Sequence, residues 1–123
     1  MGTWDAGVFD NDSALDHVCE FTSKMIQEID DAVSDPSELE CDEYWGDAMP
    51  AHIEMLLCLH RDTHGLLPKP DKAVHWRDTY LRVWDGYIDN LDPKPEYKTK
   101  RREVLVSLFD RLNAAANAAH NGG

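Results

Sequence analysis

Between Met25 and His60 the chain places ten carboxylates, Glu28, Asp30, Asp31, Asp35, Glu38, Glu40, Asp42, Glu43, Asp47 and Glu54, and not one lysine or arginine. Carboxylates grouped in this way attract cations, accept charge-assisted hydrogen bonds from lysine and arginine, and repel phosphate. The field is local. Up to His64 the chain holds 16 acids against Lys24 and Arg61, while the remainder holds 8 acids and 10 bases, so the overall charge of −12 originates in the first half. Like charges repel one another and tax the folded state, so solubility alone would be better served by mixed signs. Within the block, Glu38-Leu39-Glu40-Cys41-Asp42-Glu43-Tyr44-Trp45-Gly46 brackets two adjacent aromatics with acids. Aromatic anchors ringed by charge are the usual composition of interface hot spots. A partner-binding surface is therefore expected on Asp35, Glu38, Glu40, Asp42, Glu43, Tyr44, Trp45 and Asp47, with a basic protein such as a toxin or nuclease as partner.

Other reactive residues point less sharply. His60 and His64 stand four apart, with His52 eight residues before His60, a spacing at which histidines share a metal on one helix face. The intervening Arg61-Asp62-Thr63 differs from the pattern of a zinc protease and sets a cation beside the site. A metal-dependent enzyme using His52, His60 and His64 is thus an alternative reading, while no metal and no cofactor are expected. No serine has a Gly-x-Ser-x-Gly setting, no Gly-rich phosphate loop is present, and no catalytic residue is assigned; the chain is read as a binder and not an enzyme. Lys94, Lys98, Lys100, Arg101 and Arg102 cluster, but the net field opposes phosphate, so direct nucleic-acid binding is not expected and pairing with the chain's own acids is. Cys19, Cys41 and Cys58 form no Cys-x-x-Cys pair, which fits neither a disulfide framework nor a zinc ribbon and suits a reducing cytoplasm.

The elements that must position these groups read as helices. Residues 1–11 form an extended arm, with Trp4 and Phe9 expected to dock it on the body and Gly7 to supply a turn. Asn11, Asp12 and Ser13 offer N-cap oxygens, with Ser13 and Asp16 at capping-box spacing. Leu15, Val18, Phe21 or Thr22, Met25, Ile26, Ile29, Ala32 and Val33 then recur at helical spacing until Ser34-Asp35-Pro36-Ser37. Residues 34–46 are expected as an acidic loop. A second helix follows, capped by Asp47, with Pro50 in its first turn and Gly65 at its close. The third starts near Pro70-Asp71, with Val74, Trp76, Tyr80, Leu81, Trp84, Tyr87, Ile88 and Leu91 on a broad apolar face. The fourth follows Pro95, carries Tyr97, Val104, Leu105, Leu108, Phe109, Leu112, Ala115, Ala116 and Ala119, and ends near Asn121-Gly122-Gly123. Residues 1–123 are thus one all-α domain, an irregular antiparallel four-helix bundle with an extended N-terminal arm. At 42% hydrophobic and 29% charged residues, the composition is that of a globular chain, and no apolar run approaches the length of a membrane span.

The opening Met1-Gly2-Thr3-Trp4-Asp5-Ala6-Gly7-Val8-Phe9-Asp10-Asn11-Asp12-Ser13-Ala14-Leu15-Asp16 resembles the start of a bacterial family catalogued as domain of unknown function 4259. Its members begin Met-Gly-x-Trp-x-x-Gly-x-Phe, followed by Asn-Asp or Asp-Asp, a small residue and Leu-Asp. The resemblance covers roughly the first 16 residues and transfers no catalytic residue. It implies a small, cytoplasmic, α-rich protein of a kind met as an immunity-like partner of a bacterial toxin. Field and resemblance together lead to one expectation: an inhibitor or immunity protein that neutralises a basic partner by occlusion. A phage-type nucleic-acid mimic, of the anti-CRISPR or anti-restriction kind, and a self-associating adaptor bundle are the other binding readings.

Overall fold

The computed structural model describes residues 2–121. Their order is α1 (Asp12–Val33), a 3-10 turn (Pro36–Leu39), α2 (Tyr44–Thr63), α3 (Pro70–Tyr87), a second 3-10 turn (Ile88–Leu91) and α4 (Pro95–Asn121). The all-α expectation holds, with four helices and, among the described residues, one isolated β-bridge between Thr3 and Asn11. Gly122 and Gly123, expected to end the fourth helix, lie outside the described residues.

Asn11 begins α1: its backbone is extended and its side-chain oxygen accepts the Ala14 N–H at 2.8 Å. That is the N-cap geometry, so the Ser13–Asp16 capping box is not what starts the helix. Val18, Thr22, Met25, Ile29, Ala32 and Val33 form the buried stripe. At the ambiguous Phe21/Thr22 step it is Thr22 that turns inward, with Phe21 exposed. The Thr22 hydroxyl donates to the Val18 carbonyl at 2.9 Å and accepts the Leu66 N–H at 3.0 Å, which joins α1 to the α2–α3 connection.

The N-terminal arm closes on itself. Trp4 N–H donates to the Asp10 carbonyl at 3.0 Å, Asp10 N–H to the Gly7 carbonyl at 3.1 Å, and Gly7 N–H to the Asp10 carboxylate at 3.0 Å. These bonds hold the arm without the Trp4 side chain, the residue being 57% exposed, contrary to the expected docking; Phe9 is half-buried. Gly7 has no left-handed backbone; a Cβ there would lie 2.3 Å from the Asp10 carboxylate and would displace the group that accepts the Gly7 N–H.

The second helix starts earlier than expected. Glu43, and not Asp47, is the N-cap residue, so Tyr44, Trp45 and Gly46 form the first helical turn and the loop shrinks to 34–43. Pro50 accordingly lies in the second turn, where it removes the N–H that would have bonded the Gly46 carbonyl. Tyr80 Oη supplies the missing donor at 2.5 Å. Gly46 also permits close approach, since a Cβ would lie 2.2 Å from the Glu40 carbonyl oxygen. At the other end His64, and not Gly65, adopts the left-handed conformation (φ 63°, ψ 27°), and Gly65 N–H closes on the Leu59 carbonyl at 3.2 Å.

α1 packs on α2 and α3, and α4 packs on α2 and α3. α3 and α4 run antiparallel, as Asp85–Arg102 and Asp89–Lys98 require. Asp47–Arg101 and Glu54–Arg111 advance together, so α2 and α4 run parallel, as alternate helices of an up-down-up-down bundle do. Trp76, Tyr80, Phe109, Ile29, Leu39, Met49, Ile53, Leu56, Leu105 and Leu112 are sealed in the centre. Val74, Leu91, Tyr97 and Val104, expected on apolar faces, are exposed. Among the described residues no helix is long and apolar enough to cross a membrane.

Candidate protein-binding surface

The segment between α1 and α2 is fixed at both ends and projects its charge in between. Ser34 N–H bonds the Asp30 carbonyl at 3.0 Å, and Ser37 Oγ bonds Asp35 at 2.7 Å. Leu39 is fully buried and ties the 3-10 turn to the core, while Glu43 N–H donates to the Glu40 carbonyl at 2.8 Å. With the backbone held, Asp35, Glu38, Asp42, Glu43, Tyr44 and Asp47 are exposed, and Glu40 is half-buried.

The ten acids of the block divide into two sets. Asp30 turns inward, accepting from Lys72 Nζ at 2.5 Å and from Trp76 Nε1 at 2.8 Å. Glu54 forms a bidentate pair with Arg111 at 2.8 and 2.9 Å, and that guanidinium holds its carboxyl below the usual range. Glu28 stands 3.6 Å from His52, and Asp31 accepts from the neutral Gln27 amide at 2.9 Å, with no basic side chain within 4.0 Å among the described residues. The second set is uncompensated: among the described residues Asp35, Glu38, Glu40, Asp42 and Glu43 have no basic side chain within 4.0 Å. Asp47 has only Arg101, at 3.8 Å.

The basic cluster at 94–102 does not neutralise them. Lys98 pairs with Asp89 at 2.7 Å and Arg102 with Asp85 at 2.9 Å, both acids of the α3 side. The expected internal pairing is thus made by Lys98 and Arg102, with acids outside the block; Arg101 reaches only Asp47, at 3.8 Å, and among the described residues Lys94 and Lys100 have no carboxylate within 4.0 Å. Oxygens of Glu40, Asp42 and Glu43 lie within 4.8 Å of one another, so this is where the negative potential concentrates.

The two adjacent aromatics take different places. Tyr44 is 79% exposed, whereas Trp45 is half-buried against the core, with edge contacts to Tyr44 at 5.8 Å and to His52 at 5.3 Å between ring centroids. Cys41, Asp42, Glu43, Tyr44, Asp47 and Ala48 line a shallow hollow of about 460 Å³. Tyr87 joins this surface from α3 by donating its hydroxyl to Asp42 at 2.8 Å, and that bond raises the phenol's pKa. Sequence reading placed Tyr87 on the apolar stripe; its reach across 45 residues left no local signal. Burial pushes the neighbouring Cys41 thiol up, which makes it a poor nucleophile.

The three histidines are not brought together. His52 lies against Trp45 and Glu28, His60 Nδ1 meets the Gly65 carbonyl at 2.9 Å, and His64 is the left-handed cap. Among the described residues, the one set of three metal-competent side chains is Glu40, Asp42 and Glu43.

The surface sits in the part of the chain with a known counterpart. Residues 2–51 match the family described as Domain of unknown function (DUF4259). The DUF4259 resemblance therefore extends well past the first 16 residues, through α1 and the acidic segment into the first turns of α2. No curated protein and no solved structure matches the chain.

Proposed function

We propose that this chain is a binding protein that occludes a basic partner, acting as an inhibitor or immunity protein toward a toxin or nuclease. The observation that carries this reading is the row Asp35, Glu38, Glu40, Asp42 and Glu43, exposed or half-buried and, among the described residues, without a basic side chain within 4.0 Å, next to an outward Tyr44. The carboxylates steer the encounter and pair with lysines and arginines that the target uses on phosphate. Tyr44 and the exposed edge of Trp45 add apolar contact that slows release.

The test is capture from the native host's lysate on the immobilised chain, at low and at high salt, in parallel with a variant carrying Glu40→Gln, Asp42→Asn, Glu43→Gln and Tyr44→Ala. A basic protein retained at low salt, released at high salt and absent from the variant supports the reading. An identical set of captured proteins on both chains overturns it. Duplex DNA added as competitor separates a blocker of a nucleic-acid groove from one that binds elsewhere on the target.

A further inference from the structure

A recessed cavity of about 220 Å³ opens where the start of α2, α3, the second 3-10 turn and the start of α4 meet. Trp84, Ile88, Leu91 and Tyr97 give it apolar walls, and Arg101 and Asp47 give it two opposite charges. Arg101 is unlike the other arginines of α4. Arg102 and Arg111 each grip a carboxylate with two hydrogen bonds, whereas Arg101 Nη2 is 3.8 Å from Asp47 Oδ1, beyond hydrogen-bond reach. Among the described residues Arg101 makes no hydrogen bond, although its side chain is only 29% exposed. A guanidinium offers five N–H donors in a fork matched to a carboxylate, and here no described residue takes a hydrogen bond from any of them.

Size and charge narrow the occupant. The volume falls below the roughly 300–1,000 Å³ of sites for drug-sized ligands, which suits a molecule the size of one residue. A net anion is opposed by the field of the acidic half, and a net cation by Arg101. We propose that the cavity binds a free amino acid with an apolar side chain: the carboxylate on Arg101, the ammonium on Asp47, and the side chain against Trp84, Ile88, Leu91 and Tyr97. This site stands independently of the occlusion reading, since it needs no protein partner.

The test titrates the full chain with L-phenylalanine and with L-leucine, read by calorimetry and by backbone amide chemical shifts. N-acetyl-L-phenylalanine and L-phenylalaninamide serve as analogues lacking one charge each. Expected are saturable shifts confined to residues 41–47 and 80–101 and an affinity loss of about tenfold or more for each analogue and for Arg101→Gln, the scale of a lost charged hydrogen bond. Leu91→Trp, which fills the cavity at an exposed position without altering charge, abolishes binding and keeps the test decisive should Arg101→Gln fold poorly. Absence of saturable binding by the parent chain, equal affinity for the acetylated analogue, or undiminished binding in Arg101→Gln or Leu91→Trp overturns the proposal.

Discussion

Tyr80 donates its hydroxyl hydrogen to the Gly46 carbonyl at 2.5 Å, 34 residues away, and so occupies the acceptor that Pro50 leaves open inside α2. The bond is buried, and desolvation raises the Tyr80 phenol's pKa, keeping it a donor at all ordinary pH. It fixes the first turn of α2, on which Tyr44, Trp45 and Asp47 stand, against α3.

Tyr80→Phe therefore leaves a buried carbonyl unpaired and is expected to cost about 1–3 kcal/mol in urea unfolding. Adding Pro50→Ala to that variant restores the N–H four residues on and is expected to recover part of the loss. A double-mutant cycle with no coupling between the two positions would refute this account.

Thr22→Val keeps the shape but removes the acceptor of the Leu66 N–H, so the α2–α3 connection loses its tie to α1. The expected destabilisation is about 1–3 kcal/mol, with the amide of Leu66 exchanging faster with deuterated solvent than in the parent. Unchanged Leu66 protection would assign that tie to packing alone.

These two bonds mark what local sequence conveys and what it does not. Asn11, Pro70 and Pro95 announce helix starts because capping and fixed φ act within a turn. The start of α2 misleads: Asp47 and Pro50 imitate a cap and a first-turn proline, and the true boundary depends on the non-local bond from Tyr80 and on Gly46 nesting against the Glu40 carbonyl, a close approach that residue types alone do not announce. The acidic surface is legible as a count of charges, but not the inward turn of Asp30 toward Trp76 or the grip of Arg111 on Glu54, which require the fold to bring distant helices together. For the same reason sequence cannot assign Tyr44 outward and Trp45 half inward, since both are aromatic and adjacent.

Stability is expected to fall in acid through identified pairs. Arg111 holds the Glu54 carboxyl low and Arg102 does the same to Asp85. Unfolded, these groups titrate near about 4.3 and about 3.9, so each pair contributes fully above that range and is lost as pH drops through the depressed folded values. Both pairs are partly exposed, which limits each to about 0.2–1 kcal/mol. Glu54→Gln should therefore lower the urea midpoint at pH 7 and leave it nearly unchanged near pH 3; equal loss at both pH values would assign the effect to packing.

Glu40, Asp42 and Glu43 lie within 4.8 Å of one another without a cation among the described residues, so their mutual repulsion works against the folded state. Replacing them with Gln, Asn and Gln leaves an acceptor oxygen for Tyr87 at position 42 while removing three charges. The expected gain is about 0.5–2 kcal/mol in unfolding free energy, largest at low salt and shrinking as the Debye length shortens. The same variant should lose the basic partner. Higher stability joined to lost binding is the signature of a surface charged for recognition, whereas a variant less stable than the parent would show these acids to be structural.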